Sequence, residues 1–101
     1  MSISSEINGK KLTIQVDDRL NAVVQKGFRG AYVDCIKDME EVVINLANVE
    51  FADSSGIGLL LILHGSAKIL PTPPVLKLVN CKPGIKEILA IGHVDQYFEV
   101  S

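Results

Sequence analysis

The chain has 101 residues, of which 48% are hydrophobic, and its formal net charge at pH 7 is -2. This length fits a single domain covering residues 1–101, and the hydrophobic content argues against disorder. No tryptophan and no basic segment are present, and 5% of residues are aromatic, which argues against nucleic-acid binding. The N-terminus lacks a signal segment and the longest apolar run, 59–63, cannot span a bilayer, so we expect a cytoplasmic protein with no membrane partner.

Two paired strands are predicted at the N-terminus, followed by a helix. Apolar and polar residues alternate on both sides of Asn8-Gly9, a pair that favours a tight hairpin because both residues tolerate positive φ. We therefore expect strands at 2–7 and 11–16. Asn21 can cap a helix that runs to about Met39. Its apolar face repeats every three or four residues, at Val24, Phe28, Ala31, Cys35 and Met39.

Strands and helices alternate in the rest of the chain. A buried strand is predicted at 41–46, a connection at 47–53 and a helix from Ser54 or Ser55 to about Leu70, where prolines stop it. The remaining elements are a strand at 75–79, a helix that begins at Pro83 and ends at Gly92, and an edge strand at 97–100. This order predicts an α/β fold: a small mixed β-sheet of four to five strands with helices packed on one side.

No residue pattern indicates an active site. His64 and His93 stand alone, without a carboxylate or thiol at the spacing of a metal site, so we expect no metal ligands. Glycine-rich nucleotide motifs and the Gly-x-Ser-x-Gly motif of serine hydrolases are missing. The sequence therefore predicts no catalytic residues, no cofactor and a function other than that of an enzyme.

The segment Asp53-Ser54-Ser55-Gly56 is the candidate functional motif. Asp and Ser commonly cap helices because their oxygens accept hydrogen bonds from free N–H groups, and capping alone is the common use of such residues. Two hydroxyls and a carboxylate exceed what one cap requires. Gly56 and Gly58 weaken the helix but leave room for an approaching group. The run that follows, 57–63, is apolar around the whole helix, so one of its faces has to meet something outside the core.

A phosphoryl group on a serine in this segment would act as an electrostatic switch. Phosphoserine carries about −1.5 to −2 charges at neutral pH. The N-terminus of a helix tolerates such a charge because its dipole and free N–H groups favour anions. The fold would persist while the charge of an apolar contact surface changed, and Asp53 or acidic groups of a partner would then oppose binding.

The order of elements, the strand EVVINL, the connection ANVEFA and the motif DSSGIGLLL resemble the anti-sigma factor antagonist branch of the STAS domain family (sulphate transporter and anti-sigma factor antagonist). The resemblance implies that Ser54 is phosphorylated by an anti-sigma factor that is itself a serine kinase of the histidine-kinase-like ATPase type. It implies a partner-switching pathway in bacteria in which the unphosphorylated form binds the anti-sigma factor and frees the sigma factor. A phosphatase reverses the modification.

The resemblance also implies a partner-binding surface on the N-terminal half of the second helix and on segments 17–21 and 47–53. The residues expected there are Asp53, Ser55, Gly56, Gly58, Asp18 and Asn21. One stretch departs from the family, because DDRLN has Asp18 where glycine is usual and Asn21 where aspartate is usual. Asn21 keeps the ability to cap a helix but removes a negative charge beside Ser54.

Two other functions are compatible with the sequence. The chain could be a non-switching STAS subunit, or a nucleotide-binding module, of a transporter or lipid-transport assembly. It could also be a small serine hydrolase, although the motif around its serines is not that of this class.

Overall fold

The computed structural model describes residues 3–101. The strands are β1 (Ile3–Asn8), β2 (Lys11–Leu20), β3 (Glu41–Ala52), β4 (Val75–Val79) and β5 (Glu99–Val100). The α-helices are α1 (Gln25–Tyr32), α2 (Ser54–Lys68) and α3 (Pro83–Ile91). Short 3-10 turns lie at Ala22–Val24, Ile36–Asp38 and Val94–Gln96.

The five strands form one mixed sheet in the order β1-β2-β3-β4-β5. Strand β1 is antiparallel to β2, and the other neighbouring pairs are parallel. The predicted hairpin turn is present, and Gly9 lies in it with φ 64°. Parallel neighbours require crossovers, which the helices supply. The predicted α/β class, with a mixed sheet and helices on one side, is confirmed.

Side-chain alternation along the strands explains why the helices cover one face. The face toward the helices carries fully buried aliphatic residues, whereas polar side chains alternate with them on the opposite face of the central strands. There Glu41 of β3 bonds to Lys77 of β4 at 2.6 Å. Burial of the aliphatic face against three helices makes the core, whose sheet members include Leu12, Ile14, Val16, Val42, Ile44, Leu46 and Leu78.

Strands β2 and β3 are longer than predicted. The sequence predicted a connection at 47–53, but β3 continues to Ala52 and β2 continues to Leu20, and these two residues are paired. Two register shifts interrupt the ladder, after Gln15 and after Asp18, and they break the alternation that the prediction relied on. The extended pair carries the chain directly to the start of α2.

The first helix is shorter than predicted. Helix α1 ends at Tyr32 instead of continuing to Met39, and a separate 3-10 turn follows at Ile36–Asp38. Met39 is nevertheless buried, because the turn returns the chain to the core. Of the later elements, β4 covers the predicted residues, α3 begins at Pro83 and Gly92 caps it, whereas the edge strand predicted at 97–100 is formed only at 99–100 because a 3-10 turn precedes it.

The end of β2 lies against the first turn of α2. A β-carbon added to Gly56 would lie 2.0 Å from the carbonyl oxygen of Leu20. The same carbonyl accepts a hydrogen bond from the N–H of Asp53 at 3.4 Å. Gly56 is therefore required for packing within the chain, and the space expected for an approaching group at this residue is already filled by Leu20.

We expect Gly56→Ala to lower the free energy of unfolding. Forcing a methyl group into backbone costs about 1–3 kcal/mol or more, which exceeds the roughly 1 kcal/mol that alanine gains in helix propensity. Gly58→Ala is the matched control, since no atom lies within 4 Å of an added β-carbon there. It should raise stability by about 0.5–1 kcal/mol. Urea denaturation measures both, and equal stability of Gly56→Ala and the wild type would contradict this account of the packing.

Candidate functional site

Asp53 caps helix α2. Its backbone is extended, and its Oδ1 accepts hydrogen bonds from the N–H of Ser55 at 2.9 Å and of Gly56 at 3.2 Å. Two otherwise unpaired donors of the first turn are thereby satisfied. The capping role is thus filled by the carboxylate, which leaves the two hydroxyls to be accounted for.

Ser55 joins two elements of the site. Its hydroxyl donates to Asp53 Oδ1 at 2.5 Å, and its Oγ accepts from the backbone N–H of Ala22 at 2.9 Å. Ala22 begins the short turn between β2 and α1. The hydroxyl of Ser55 is therefore engaged as both donor and acceptor, and it connects the head of α2 to that turn.

Ser54 differs from its neighbour. It is the first residue of α2 and is exposed, and its side chain makes no hydrogen bond to any of residues 3–101. Of the two serines, Ser54 is thus the one whose hydroxyl is available to a second molecule.

A negative charge lies beside Ser54. The hydroxyl of Ser55, followed by the N–H groups of Gly56 and Ser55, holds the pKa of Asp53 below its ordinary value of 3.8. Each of these groups donates to the ionised carboxylate and so favours it. Asp53 is ionised at neutral pH, and any anion placed on Ser54 would meet this charge.

The structure brings Asn21 to the site but leaves Asp18 in the strand. The side chain of Asn21 accepts from the N–H of Val23 at 3.0 Å and caps the Ala22–Val24 turn. Asp18 has φ 73° and pairs with Val49 in the ladder, and its carboxylate accepts from Arg19 at 3.3 Å. This left-handed conformation suits glycine better than aspartate.

An exposed stripe of helix α2 continues from Ser54. Residues four, seven and eight positions further along lie on the same face of the helix. They are Gly58, Leu61 and Ile62, and the last two are 36% and 54% exposed. Leu59, Leu60 and Leu63 take the core side. The expectation that one face of this apolar helix remains outside the core agrees with the structure.

Two exposed apolar residues near the motif did not emerge from the sequence. Val23 is 77% exposed in the turn that Ser55 contacts, and Phe51 is 49% exposed two residues before Asp53. Strand alternation could not have indicated Phe51, because it places this residue on the face of the buried Val49, and a register shift between the two breaks that alternation. Val23 and Ile62 both lie near Arg29, so these exposed apolar side chains stand beside a basic one.

We expect the stability difference between the wild type and Asp53→Asn to depend on pH, because the substitution removes the charge of the cap. Asparagine also caps helices, so the variant should fold but lose the ionised acceptor. A carboxyl whose pKa is lowered in the folded state stabilises the protein above its ordinary pKa, and this contribution is lost as pH falls through the folded value. The wild type should therefore be more stable than Asp53→Asn at neutral pH, and the difference should shrink below pH 3.8. Denaturation midpoints measure it.

Asp34→Asn, a change at an exposed carboxylate outside the site, is the control and should show no comparable difference between the two pH ranges. A constant gap between the wild type and Asp53→Asn at all pH values would show that the charge of Asp53 contributes nothing to the cap.

Among the helices of residues 3–101, none combines the length and the hydropathy needed to cross a lipid bilayer. A STAS-domain containing protein of Pseudomonas aeruginosa (strain UCBPP-PA14) is 34% identical over 94 residues, which make up 93% of this chain and 91% of that protein.

Among solved structures, the anti-sigma factor antagonist SpoIIAA in its unphosphorylated form superposes with a TM-score of 0.77 at 17% identity, over 98% of this chain and 87% of that one. The phosphorylated form of the Bacillus cell fate determinant SpoIIAA gives 0.71 at 17% identity, over 98% and 90%. These two structures share the fold described above. The model of the STAS domain matches residues 2–101, and the chain belongs to the STAS domain family.

Proposed function

We propose that this chain is an anti-sigma factor antagonist whose binding is controlled by phosphorylation of Ser54. It is a non-enzymatic binding module of a bacterial, cytoplasmic partner-switching pathway. The kinase is an anti-sigma factor of the histidine-kinase-like ATPase type, and a phosphatase removes the phosphoryl group. The observation that carries the proposal is the exposed, unengaged hydroxyl of Ser54 at the head of an apolar stripe.

Modification of Ser54 is compatible with the fold. Its side chain makes no hydrogen bond within residues 3–101, whereas Asp53 and Ser55 maintain the cap and the contact to Ala22. A phosphoryl group would therefore add charge without removing a stabilising interaction. The dipole of α2 favours an anion at this end of the helix. SpoIIAA, a neighbour in fold, has been solved in both its unphosphorylated and its phosphorylated form.

The same modification would change what can dock on the surface. In the unphosphorylated form, the stripe of Gly58, Leu61 and Ile62 offers apolar area to a partner, and Val23 and Phe51 are further exposed apolar residues. Phosphorylation adds about two negative charges next to the ionised Asp53. Desolvating such a pair in an apolar interface is costly, and acidic groups of a partner would be repelled. Binding is lost by electrostatics, with no need for a conformational change.

Segments 17–21 and 47–53 complete the proposed partner surface, although most of both is strand and not loop. Asn21 contributes from just beyond the end of β2, Asp18 from within β2, and Phe51 from near the end of β3. Gly58 gives a partner close access to α2, since the space beside it is open. We assign Gly56 to internal packing against Leu20 and Ser55 to a structural contact, so the direct contacts of a partner centre on Ser54, Gly58 and Asn21.

A nucleotide-binding role gains no support from the groove at the other end of α2. That groove has a volume of about 460 Å³ and includes His64, Lys68 and Tyr97. Asp95 and Glu99 also line it, and their carboxylates would repel the phosphates of a nucleotide. We therefore retain the phosphorylation switch as the single proposed function.

Ser54→Asp should bind the anti-sigma factor kinase more weakly than the wild type by about tenfold or more, because it places a permanent charge at the head of the stripe. Ser54→Ala should bind like the wild type and accept no phosphate. Ser4→Asp adds the same charge at an exposed position of β1 and is the control. Isothermal titration calorimetry with a kinase captured by the wild-type chain measures these affinities, and unweakened binding by Ser54→Asp would refute the switch.

A transporter ATPase captured in place of a kinase would favour the non-switching alternative. Circular dichroism spectra of the variants establish that any loss of binding arises in a folded protein.

A further inference from the structure

The turn that presents Val23 is anchored in the core by the buried Val24, and among residues 3–101 one hydrogen bond joins it to α2. Asn21 caps the turn internally, through the N–H of Val23, and this bond does not fix its position relative to α2. The N–H of Ala22 points the other way and donates to the Oγ of Ser55 at 2.9 Å. Ser55 in turn donates to Asp53 at 2.5 Å. A continuous chain of hydrogen bonds thus runs from the turn, through one hydroxyl, to the cap of α2.

We propose that Ser55 is a positioning residue that holds the Ala22–Val24 turn against the head of α2, so that Val23 and Ser54 form one rigid recognition surface. Val23 contacts an apolar pocket of the partner while Ser54 reports the phosphorylation state. This inference rests on the proposed function for its binding consequence, whereas the held turn is a property of the isolated chain.

Geometry favours this role for Ser55 over that of a second phosphate acceptor. Both hydrogen-bonding capacities of its hydroxyl are used, and attachment of a phosphoryl group would remove the proton that it donates to Asp53. The anion would then lie against the ionised Asp53, and the hydrogen bond that Ser55 donates to Asp53 would be broken. Ser54 has neither contact to lose. The two adjacent serines therefore have different tasks, one structural and one regulatory.

The exposure of Val23 indicates why a fixed position of the turn would matter for binding. At 77% exposure, Val23 buries little of its side chain within this chain, so packing does not account for an apolar residue there. A rigid apolar side chain at an interface loses little conformational entropy on binding, which favours affinity. Val24 anchors one end of the turn in the core, and the bond from Ala22 to Ser55 restrains the other end, so that loss of this bond would let Ala22 and Val23 move relative to Ser54.

Amide hydrogen exchange followed by NMR on the isolated chain tests the held turn directly. Ser55→Ala should raise the exchange rate of the Ala22 amide by about tenfold or more, because its acceptor is removed. Ser54→Ala is the matched control, and exchange at Ala22 should stay within about twofold of the wild type. Ser55→Thr keeps an Oγ and should restore slow exchange. An unchanged Ala22 rate in Ser55→Ala would overturn the inference.

A double-mutant cycle of binding affinities, measured with the purified kinase that the wild-type chain captures, tests whether Ser55 affects binding through Val23. If Ser55 acts through Val23, Ser55→Ala should weaken binding in the wild-type background but have a much smaller effect in a Val23→Ala background. Equal losses in both backgrounds would overturn the link to Val23. Failure of the wild type to bind any such kinase would refute the proposed function, and the exchange result would still decide whether Ser55 holds the turn.

Ala22→Pro removes the same bond from the donor side if Ser55→Ala proves unstable. Asn21 has an extended backbone, with φ −154° and ψ −171°, as the residue before a proline requires. Proline also suits the first position of a helical turn. This variant should retain the cap of α2, weaken binding of the kinase to the same extent as Ser55→Ala, and show no further loss when combined with it. Undiminished binding would overturn the inference.

Discussion

One carboxylate oxygen organises the functional end of this protein. Oδ1 of Asp53 accepts from two backbone N–H groups of α2 and from the hydroxyl of Ser55, and these bonds keep the carboxylate ionised. The helix start, the contact to the β2–α1 turn and the local negative charge all depend on it. Because Asp53 accepts the hydrogen bonds of the cap, the hydroxyl of Ser54 is not needed for it. The proposed switch is possible because the fold does not need the hydroxyl that would be modified.

This arrangement depends on the close approach between the end of β2 and the first turn of α2. The carbonyl of Leu20 lies where a side chain of residue 56 would be, so the end of β2 and the head of α2 are in direct contact. That approach places Ala22 within hydrogen-bonding distance of Ser55. The site is thus built from β2, β3 and α2 at once, and the apolar stripe of α2 faces outward because the opposite side of the helix fills the core.

Local signals in the sequence were enough for most of the fold. The Asn8-Gly9 pair indicated the hairpin, the prolines and Gly92 marked helix ends, and alternation located β4. The extension of β3 was missed because the register shifts beside Asp17 and Asp18 interrupt the two-residue period. Helix α1 was predicted too long because Met39 is buried by a separate turn that happens to fit helical spacing.

The sequence predicted which residues belong to the candidate site, but not which of them have structural roles. Asp53 as a cap follows from its place before an apolar run. The different roles of Ser54 and Ser55 depend on the tertiary approach of Ala22, which no local pattern encodes. The same holds for Gly56, whose requirement arises from Leu20, far away in sequence. The exposure of Val23 could not be predicted because it stands beside Val24, and the sequence alone does not tell which of the two valines is buried.

The most direct measurement compares two forms of the same chain, unmodified and phosphorylated by the kinase with ATP, after mass spectrometry has located the phosphate. Affinity for the anti-sigma factor is determined for both forms over a series of salt concentrations. The account predicts phosphate on Ser54, weaker binding of the modified form, and a gap that narrows as salt screens the added charge. Phosphate found elsewhere, or equal affinities of the two forms at low salt, would contradict it.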